Sequence, residues 1–425
     1  MRPLYLPAIF SALSRKQRGV ALMVMLVIMV MGAATILVSS LNSSTIQIGR
    51  QETTSAVLAQ AKDALIGRAV NDGNRPGSLP CPDGDNDGDS DLLSGNICPT
   101  YLGRLPWKTL GLPDLRDGSG ERLWYALSPN FTDSNFLSNG SSPPLRVINS
   151  DTRGQFTITG NNPASNIVAS IFSSGAVIGS QQRDGANPSA AINNAPSNFL
   201  ENENADGGMT YTTTFLRGQD TVGDVTYTTA AASSTFNDQL IFITTRSLMP
   251  LVEQRVAGEV KQALTNYYTV NGYYPWADSV AAAVDYNAND GYNRGWLPNS
   301  AAAGSAAEWS GIARPPQWFF DNEWYTLIYY SVAKNFTRSP VSCNSPFCTE
   351  NTLSVDYPTN TGVRVLFFMP GTFNSTLQRS ATTLSDYLED PENKDEANDR
   401  YATPTSQAGD RDRLYWLSSS SIWNR

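Results

Sequence analysis

The sequence predicts an α+β protein: a long N-terminal helix carrying two tandem copies of one domain, each a helix packed on an antiparallel β-sheet. Three observations predict it. An apolar, proline-free stretch near the N-terminus runs on into a one-sided helical pattern. Five segments recur in the same order in the two halves of the chain. Between them, short β-branched and aromatic runs alternate with turns rich in Gly, Pro, Asn and Asp.

Composition sets the outer limits. The chain has 425 residues, with 30 Lys+Arg against 39 Asp+Glu, and its length suits two to three domains. A body this acidic lacks the clustered cations that wrap nucleic acid, so no nucleic-acid partner is expected. Histidine is absent. That removes the commonest general base, the usual serine and cysteine triads and nearly all zinc sites. The four cysteines fall into two local pairs, Cys81 with Cys98 and Cys343 with Cys348. Neither pair has C-x-x-C spacing, so disulfides in an oxidising compartment are expected rather than a thiolate metal cluster.

The first element opens with "QRGVALMVMLVIMVMGAAT", Gln17 to Thr35. Val20 to Val38 carries no charge, about the minimum that spans a bilayer. Arg15, Lys16 and Arg18 precede it, which predicts a single-pass inner-membrane protein with a cytoplasmic N-terminus and extracytoplasmic heads. Three readings fit: a cleaved secretory signal, a plain anchor, or a processed assembly helix. The basic residues, Gly19 and the following apolar helix resemble the N-terminus of type IV pilins and type II secretion pseudopilins. The resemblance implies cleavage by a prepilin peptidase between Gly19 and Val20, followed by methylation of the new N-terminus. It also implies other pilins or pseudopilins as partners. Family members usually carry glutamate five residues after the cut, where this chain has Val24. That departure is similar to minor, tip-type subunits. No proline interrupts the pattern beyond the apolar run, so a helix to about Ala69, roughly 75 Å long, is expected.

The body reads as a duplication. "AKDALIGRAVNDGNRPGSLP" (61–80) aligns with "VKQALTNYYTVNGYYPWAD" (260–278), and "DGDNDGDSD" (83–91) has an echo in "DYNANDG" (285–291). "LWYALSPNF" (123–131) aligns with "IYYSVAKNF" (328–336), "NFLENENADG" (198–207) with "DYLEDPENKD" (386–395), and "FNDQLIFITTRSL" (236–248) with "DRDRLYWLSSSSI" (410–422). The expected plan is a leader over 1–19, a transmembrane and spine helix over 20–49, and heads over 50–248 and 249–425. In the second head a helix follows a Ser247 cap, with Leu248, Val252, Val256, Val260, Leu264 and Tyr267 on one face. Strands are expected at 155–159, 167–172, 209–215, 225–229, 240–244, 363–368 and 414–417. The exit "NYYTVNGYYP" resembles the helix exit of pilin heads: Asn271-Gly272 permits a left-handed cap, and Pro275 prevents continuation.

The most pointed chemistry lies in "CPDGDNDGDSDLLSGNIC". Asp83, Asp85, Asp87 and Asp89 alternate, with Gly88 at the sixth place, as in the first half of a calcium loop. Ser94 stands where the loop's glutamate belongs, and Asp91 is a substitute ligand. Calcium is therefore the expected cofactor. A solvated acidic turn is the plainer alternative. Trp107 and Trp124 read as core packing rather than a ligand face. Asp114, Arg116, Asp117, Glu121 and Arg122 read as a salt-bridged loop rather than a hydrolytic carboxylate pair. Residues 343–348 read as a small disulfide loop, and 388–400 as a solvated charge run. The expected function is a non-enzymatic minor pilin or pseudopilin subunit acting in assembly, priming or tip function. The alternatives are a membrane-anchored adhesin and, more weakly, a periplasmic hydrolase.

Overall fold

The computed structural model describes residues 17–92, 98–133, 147–185, 187, 191–205, 225–278, 291–298, 309, 314–337, 352–356, 359–372, 384, 387–395, 398–403, 412–418 and 422–425. It divides into two compact units, Met1–Ala56 and Val57–Arg425.

In the first unit the described residues are helical, the N-terminal part of α1 (Gln17–Asn71). Met23 and Met25–Met31 are exposed all round the helix, from 51% to 72%. The expected transmembrane helix is corrected here: among the described residues no helix is long and apolar enough to cross a membrane. The uncharged run from Val20 to Val38 is itself at the short limit of the ~20 residues a bilayer requires. The expected single-pass inner-membrane location is corrected with it.

In the second unit the end of α1 buries Leu58, Ala61, Leu65 and Ala69 along one stripe. Asp72 closes this helix by accepting from the Asn74 and Arg75 amides at 2.9 and 2.7 Å. The first sheet contains β1 (Leu102–Arg104), β2 (Trp124–Leu127), β3 (Phe156–Gly160), β4 (Ala164–Ser173), β5 (Val225–Thr229) and β6 (Gln239–Thr244), ordered β1-β2-β4-β3-β5 with β6 also on β4. Helix α2 (Thr245–Asn271) follows directly. Its cap is Thr244, not Ser247. Thr244 and Ser247 form a reciprocal capping box, so the serine expected as cap serves three residues inside. The expected face from Leu248 to Tyr267 is buried. Gly272 ends the helix at φ 76°, its amide donating to the Tyr268 carbonyl at 2.8 Å.

The remainder holds β7 (Arg294–Trp296), α3 (Gln317–Asp321), β8 (Tyr329–Val332), β9 (Leu353–Val355), β10 (Asn360–Val363), β11 (Val365–Met369), α4 (Pro391–Lys394), β12 (Arg400–Tyr401), β13 (Arg413–Leu417) and β14 (Trp423–Asn424). They build one sheet ordered β14-β13-β11-β8-β7 and another ordered β10-β9-β12. The expectation of antiparallel sheets is corrected: β3 pairs β5 in parallel, and β9 pairs β12 in parallel. In each case the two strands are far apart in sequence and joined by a crossover, which permits a parallel neighbour. A period-two pattern does not encode that direction.

The two halves share several specific bonds. Leu79 donates to the Phe131 carbonyl and Tyr274 to the Phe336 carbonyl, both at 2.7 Å. Tyr125 Oη donates to the Pro80 carbonyl at 3.2 Å, and Tyr330 Oη to the Pro275 carbonyl at 2.9 Å. Asp83 exchanges backbone bonds with Arg104 as Asp278 does with Trp296. Asn204 brackets the Thr228 backbone, accepting its amide and donating to its carbonyl, as Asn393 brackets Ala402. The Glu201 amide donates to Asp238, and the Glu389 amide to Asp412.

Within 388–400, expected as a solvated charge run, the described residues 388–395 and 398–400 hold defined contacts. Asp390 caps α4, Asn393 is buried, and Asp399 is buried in an ion pair with Arg294. A partner cation arriving from a distant strand removes the reason for solvent exposure. The expected strand at 209–215 and the echo loop at 285–290 lie outside the described residues. So do both cysteines of the expected second disulfide: Cys343 is outside the described residues, and Cys348 is outside them too.

Candidate metal centre

The acidic loop leaves Cys81 and returns through Cys98. These cysteines form a disulfide, with Cα atoms 5.5 Å apart. Among the described residues it is the one disulfide; the expected bridge from Cys343 to Cys348 is not part of the described structure. Ser90 Oγ ties the far side of the loop back to the Cys81 carbonyl at 2.9 Å. Gly88 sits at φ +95°, and a Cβ there would lie 2.6 Å from the Trp107 ring. Glycine is therefore required twice over, for the turn and for the indole packed on it.

Asp83 is the anchor. One carboxylate oxygen accepts from the Asn86 amide at 2.6 Å and the Asp87 amide at 3.2 Å, and the other from the Gly88 amide at 2.7 Å. Asp91 Oδ2 accepts from the Gly84 amide at 3.2 Å, closing the loop on itself. Of the five expected ligands, Asp83, Asp85 and Asp91 are brought together, each offering an oxygen within 4.8 Å of the others'. Asp87 and Asp89 are not in that group. Asp87 accepts from the Asp89 amide, and Asp89 pairs with Lys108 at 3.4 Å. Alternation along an extended strand would aim all four alike; the left-handed turn at Asn86, φ 65°, breaks the alternation.

None of the three clustered carboxylates has an ion-pair partner among the described residues. Burial, then the charges of Asp87 and Asp85, raise the Asp83 pKa to about 6, against the lowering pull of its backbone donors. Burial and the same neighbours raise Asp91. A crowded, partly desolvated carboxylate group is destabilising unless a cation or protons neutralise it. Three hard oxygens with lone pairs to spare fit a calcium ion in its lower coordination numbers, with other oxygens completing the shell.

A cavity of about 550 Å³ opens beside the cluster, lined by these aspartates together with Arg104 and Trp124. Arg104 is 3% exposed. Its guanidinium lies 4.0 Å from the ring centroids of both Trp124 and Phe199. Nη1 and Nη2 donate to the Arg122 and Asn193 carbonyls, both at 2.9 Å. Burial lowers the Arg104 pKa to about 9. Sequence reasoning missed Arg104. The short echo of "LGRLP" (102–106) in "RGWLP" (294–298) was the available signal: Leu102 and Arg104 stand opposite Arg294 and Trp296, so each stretch carries one arginine, at a different position.

Trp124 is buried, as expected for core packing, and Trp107 is half-buried over Gly88. The Asp114 cluster is a salt-bridged loop: Asp114 holds Arg116 at 2.7 Å and Arg122 at 2.8 Å, and Asp117 accepts from Ser173 Oγ at 2.7 Å. Gly19 and Val20 lie within the α1 backbone. The chain matches no protein-family model, and neither a curated protein nor a solved structure is significantly similar to it.

Proposed function

We propose that this chain is a non-enzymatic structural subunit, similar to the minor pilins and pseudopilins, that joins a type IV pilus or type II secretion pseudopilus through its N-terminal helix. The observation that carries the reading is the apolar arm of α1. Met23 and Met25–Met31 are exposed on every side, and a helix apolar all round is stable only when covered. Helices of neighbouring subunits are the cover this reading supplies. Val24, in place of a charge-pairing glutamate, suits a subunit that caps rather than repeats. The lack of histidine and the salt-bridged state of the Asp114 cluster both favour a structural role over catalysis.

N-terminal sequencing of the native protein tests this. The expected first residue is Val20, methylated; any other start overturns the reading.

Calcium belongs to the same proposal, as a fastener of the acidic loop of the first repeat through Asp83, Asp85 and Asp91. Calcium should then raise the thermal midpoint in proportion to the logarithm of its concentration above Kd. Asp85→Ala should abolish that rise, and Asp87→Ala should largely preserve it. A midpoint that does not change with calcium removes this part of the reading.

A further inference from the structure

Residues 196–205 lie as a strap across one face of the first sheet. Phe199 and Leu200, 1% and 2% exposed, pack with Trp124, Phe156, Phe172 and Tyr227 on the face turned away from α2. Farther along, Asn204 brackets the Thr228 backbone of β5. Between these points the strap meets Asp238, the residue before β6, through two carboxyl groups, those of Glu201 and Asp238. Glu201 is 8% exposed and Asp238 5%.

The donors around the two carboxyls are unequal. Glu201 Oε1 accepts from Gln181 Nε2 at 2.6 Å, and Oε2 from the Asn237 and Asp238 amides at 3.0 and 3.1 Å. Asp238 Oδ2 accepts from the Glu201 amide at 2.9 Å and from Asn204 Nδ2 at 3.0 Å. Asp238 Oδ1 is buried and meets no donor. Neither carboxyl has an ion-pair partner among the described residues. The charged groups on the neighbouring elements are engaged elsewhere. Arg183 pairs with Glu121 at 3.3 Å, Asp184 accepts from the Asn187 amide, and Glu203 accepts from Thr228 Oγ1. β6 carries no charged side chain, and the titratable residue of β5 is Tyr227.

Two buried carboxylates in hydrogen-bond contact repel each other when both are charged, and one proton between them removes the repulsion. The donor count places that proton. Both oxygens of Glu201 are answered as those of an anion, whereas Asp238 Oδ1 is the oxygen left to carry a hydrogen. Burial first, with the Glu201 charge adding to it, pushes the Asp238 pKa up to about 8, against the pull of its amide and Asn204 donors.

We infer that residues 196–205 form a pH-responsive strap, held shut by one proton that Asp238 shares with Glu201 and released as that proton is lost. Its loss sets two anions against each other where the strap joins the start of β6, and opening uncovers Phe199 and Leu200. The backbone bond recurs in the second repeat, from the Glu389 amide to Asp412. The strap thus belongs to the fold, and the shared proton is what makes it respond. In the open strap Asp238 returns to water and to an ordinary carboxylate pKa. Opening therefore becomes about tenfold more favourable per pH unit between the two values and levels off above the higher.

Native-state hydrogen exchange on the full chain from pH 5 to 9, corrected for the intrinsic rate of each amide, tests this. The Glu201, Asp238 and Thr228 amides should lose protection about tenfold per pH unit and level off above about pH 8. They should do so in guanidinium too dilute to unfold the chain, while the β4 amides stay protected. Asp238→Asn keeps an acceptor for the Glu201 amide and puts an N–H where the acid proton stood, so its profile should be flat. Glu201→Gln removes the neighbouring charge and should end the fall at a lower pH. A circular-dichroism melt shows which variants fold, and Glu201→Gln carries the test if Asp238→Asn does not. A flat wild-type profile overturns the inference. So does a profile that Asp238→Asn leaves steep or Glu201→Gln leaves in place, and so do strap amides that exchange only together with β4.

Discussion

Glu253 is the most exacting test of how the two repeats are joined. It sits inside α2 with no exposure to solvent. Its Oε1 accepts from Ser150 Oγ of the first repeat at 2.7 Å, and its Oε2 from Arg413 Nη1 of β13 at 2.8 Å. One carboxylate thus ties a loop of one repeat to a strand of the other. Glu253→Ala removes the anion and leaves its partners behind. Breaking a buried pair by deleting one member costs about 3–5 kcal/mol. Arg413 keeps its bond to the Pro250 carbonyl, and its side chain is 20% exposed, which favours the lower end. The buried Ser150 hydroxyl adds about 1 kcal/mol for its lost acceptor. The expected total is about 3–4 kcal/mol, a shift of two to three powers of ten in the folding constant. Glu253→Gln retains an acceptor for Ser150 and should cost roughly half as much. Guanidinium unfolding measures the totals, and hydrogen exchange at α2 and residues 147–153 localises them. A Glu253→Ala protein within ~1 kcal/mol of wild type, or no worse than Glu253→Gln, would refute the reasoning.

Three further outcomes are expected. Cys81→Ser with Cys98→Ser opens a loop of sequence separation 17; chain entropy predicts a loss of about 3 kcal/mol in non-reducing unfolding, and reductant should then have no further effect on the variant's stability if the loop disulfide is the cause. Asp238 is held protonated up to about 8, by burial first and with the Glu201 carboxyl beside it contributing. The unfolded chain releases that proton near 4 and the folded chain only near 8, so this group's contribution makes stability fall as pH rises between the two. Asp238→Asn should flatten that slope in denaturation series from pH 5 to 8, and an unchanged slope counts against it. Gly295 has φ +150°, and a Cβ there would lie 1.8 Å from the Asp278 carbonyl oxygen, whereas a Cβ on Gly258 meets nothing within 4 Å. Gly295→Ala should therefore lower the unfolding midpoint sharply, while Gly258→Ala gains about 0.5–1 kcal/mol from helix propensity; equal midpoints would contradict both assignments.

What the sequence made legible follows from what periodicity encodes. The face of α2 from Leu248 to Tyr267 was readable because burial on a helix repeats every three to four residues. Gly272 was readable because few residues tolerate its backbone angle. The direction of β5 and β12 was not, because a strand's alternation is the same whichever way its neighbour runs. The burial of Asp399 was hidden in the same way: it looks solvent-bound until Arg294, from a distant strand, neutralises it. In the acidic loop, spacing alone does not distinguish the five aspartates: Asp83, Asp85 and Asp91 lie near one another, while the left-handed residue Asn86 turns the chain before Asp87.

The duplication separates what the fold needs from what a site adds. The tyrosine bonds to Pro80 and Pro275, the asparagine brackets at Asn204 and Asn393, and the carboxylates Asp238 and Asp412 are present in both repeats. Each satisfies buried backbone groups that would otherwise destabilise the domain, so their recurrence is explained by folding alone. The Asp83 corner is different. Its backbone exchange is repeated at Asp278, but the disulfide gives way to Trp276 and the guanidinium to Trp296. A buried guanidinium is nonetheless held in both: Arg104 in the first repeat donates to the Arg122 and Asn193 carbonyls, and Arg294 in the second, two residues before Trp296, pairs with Asp399. The fold keeps a buried cation at this edge and varies its partner, main-chain carbonyls in one repeat and a carboxylate in the other, either of which offsets the cost of desolvating it.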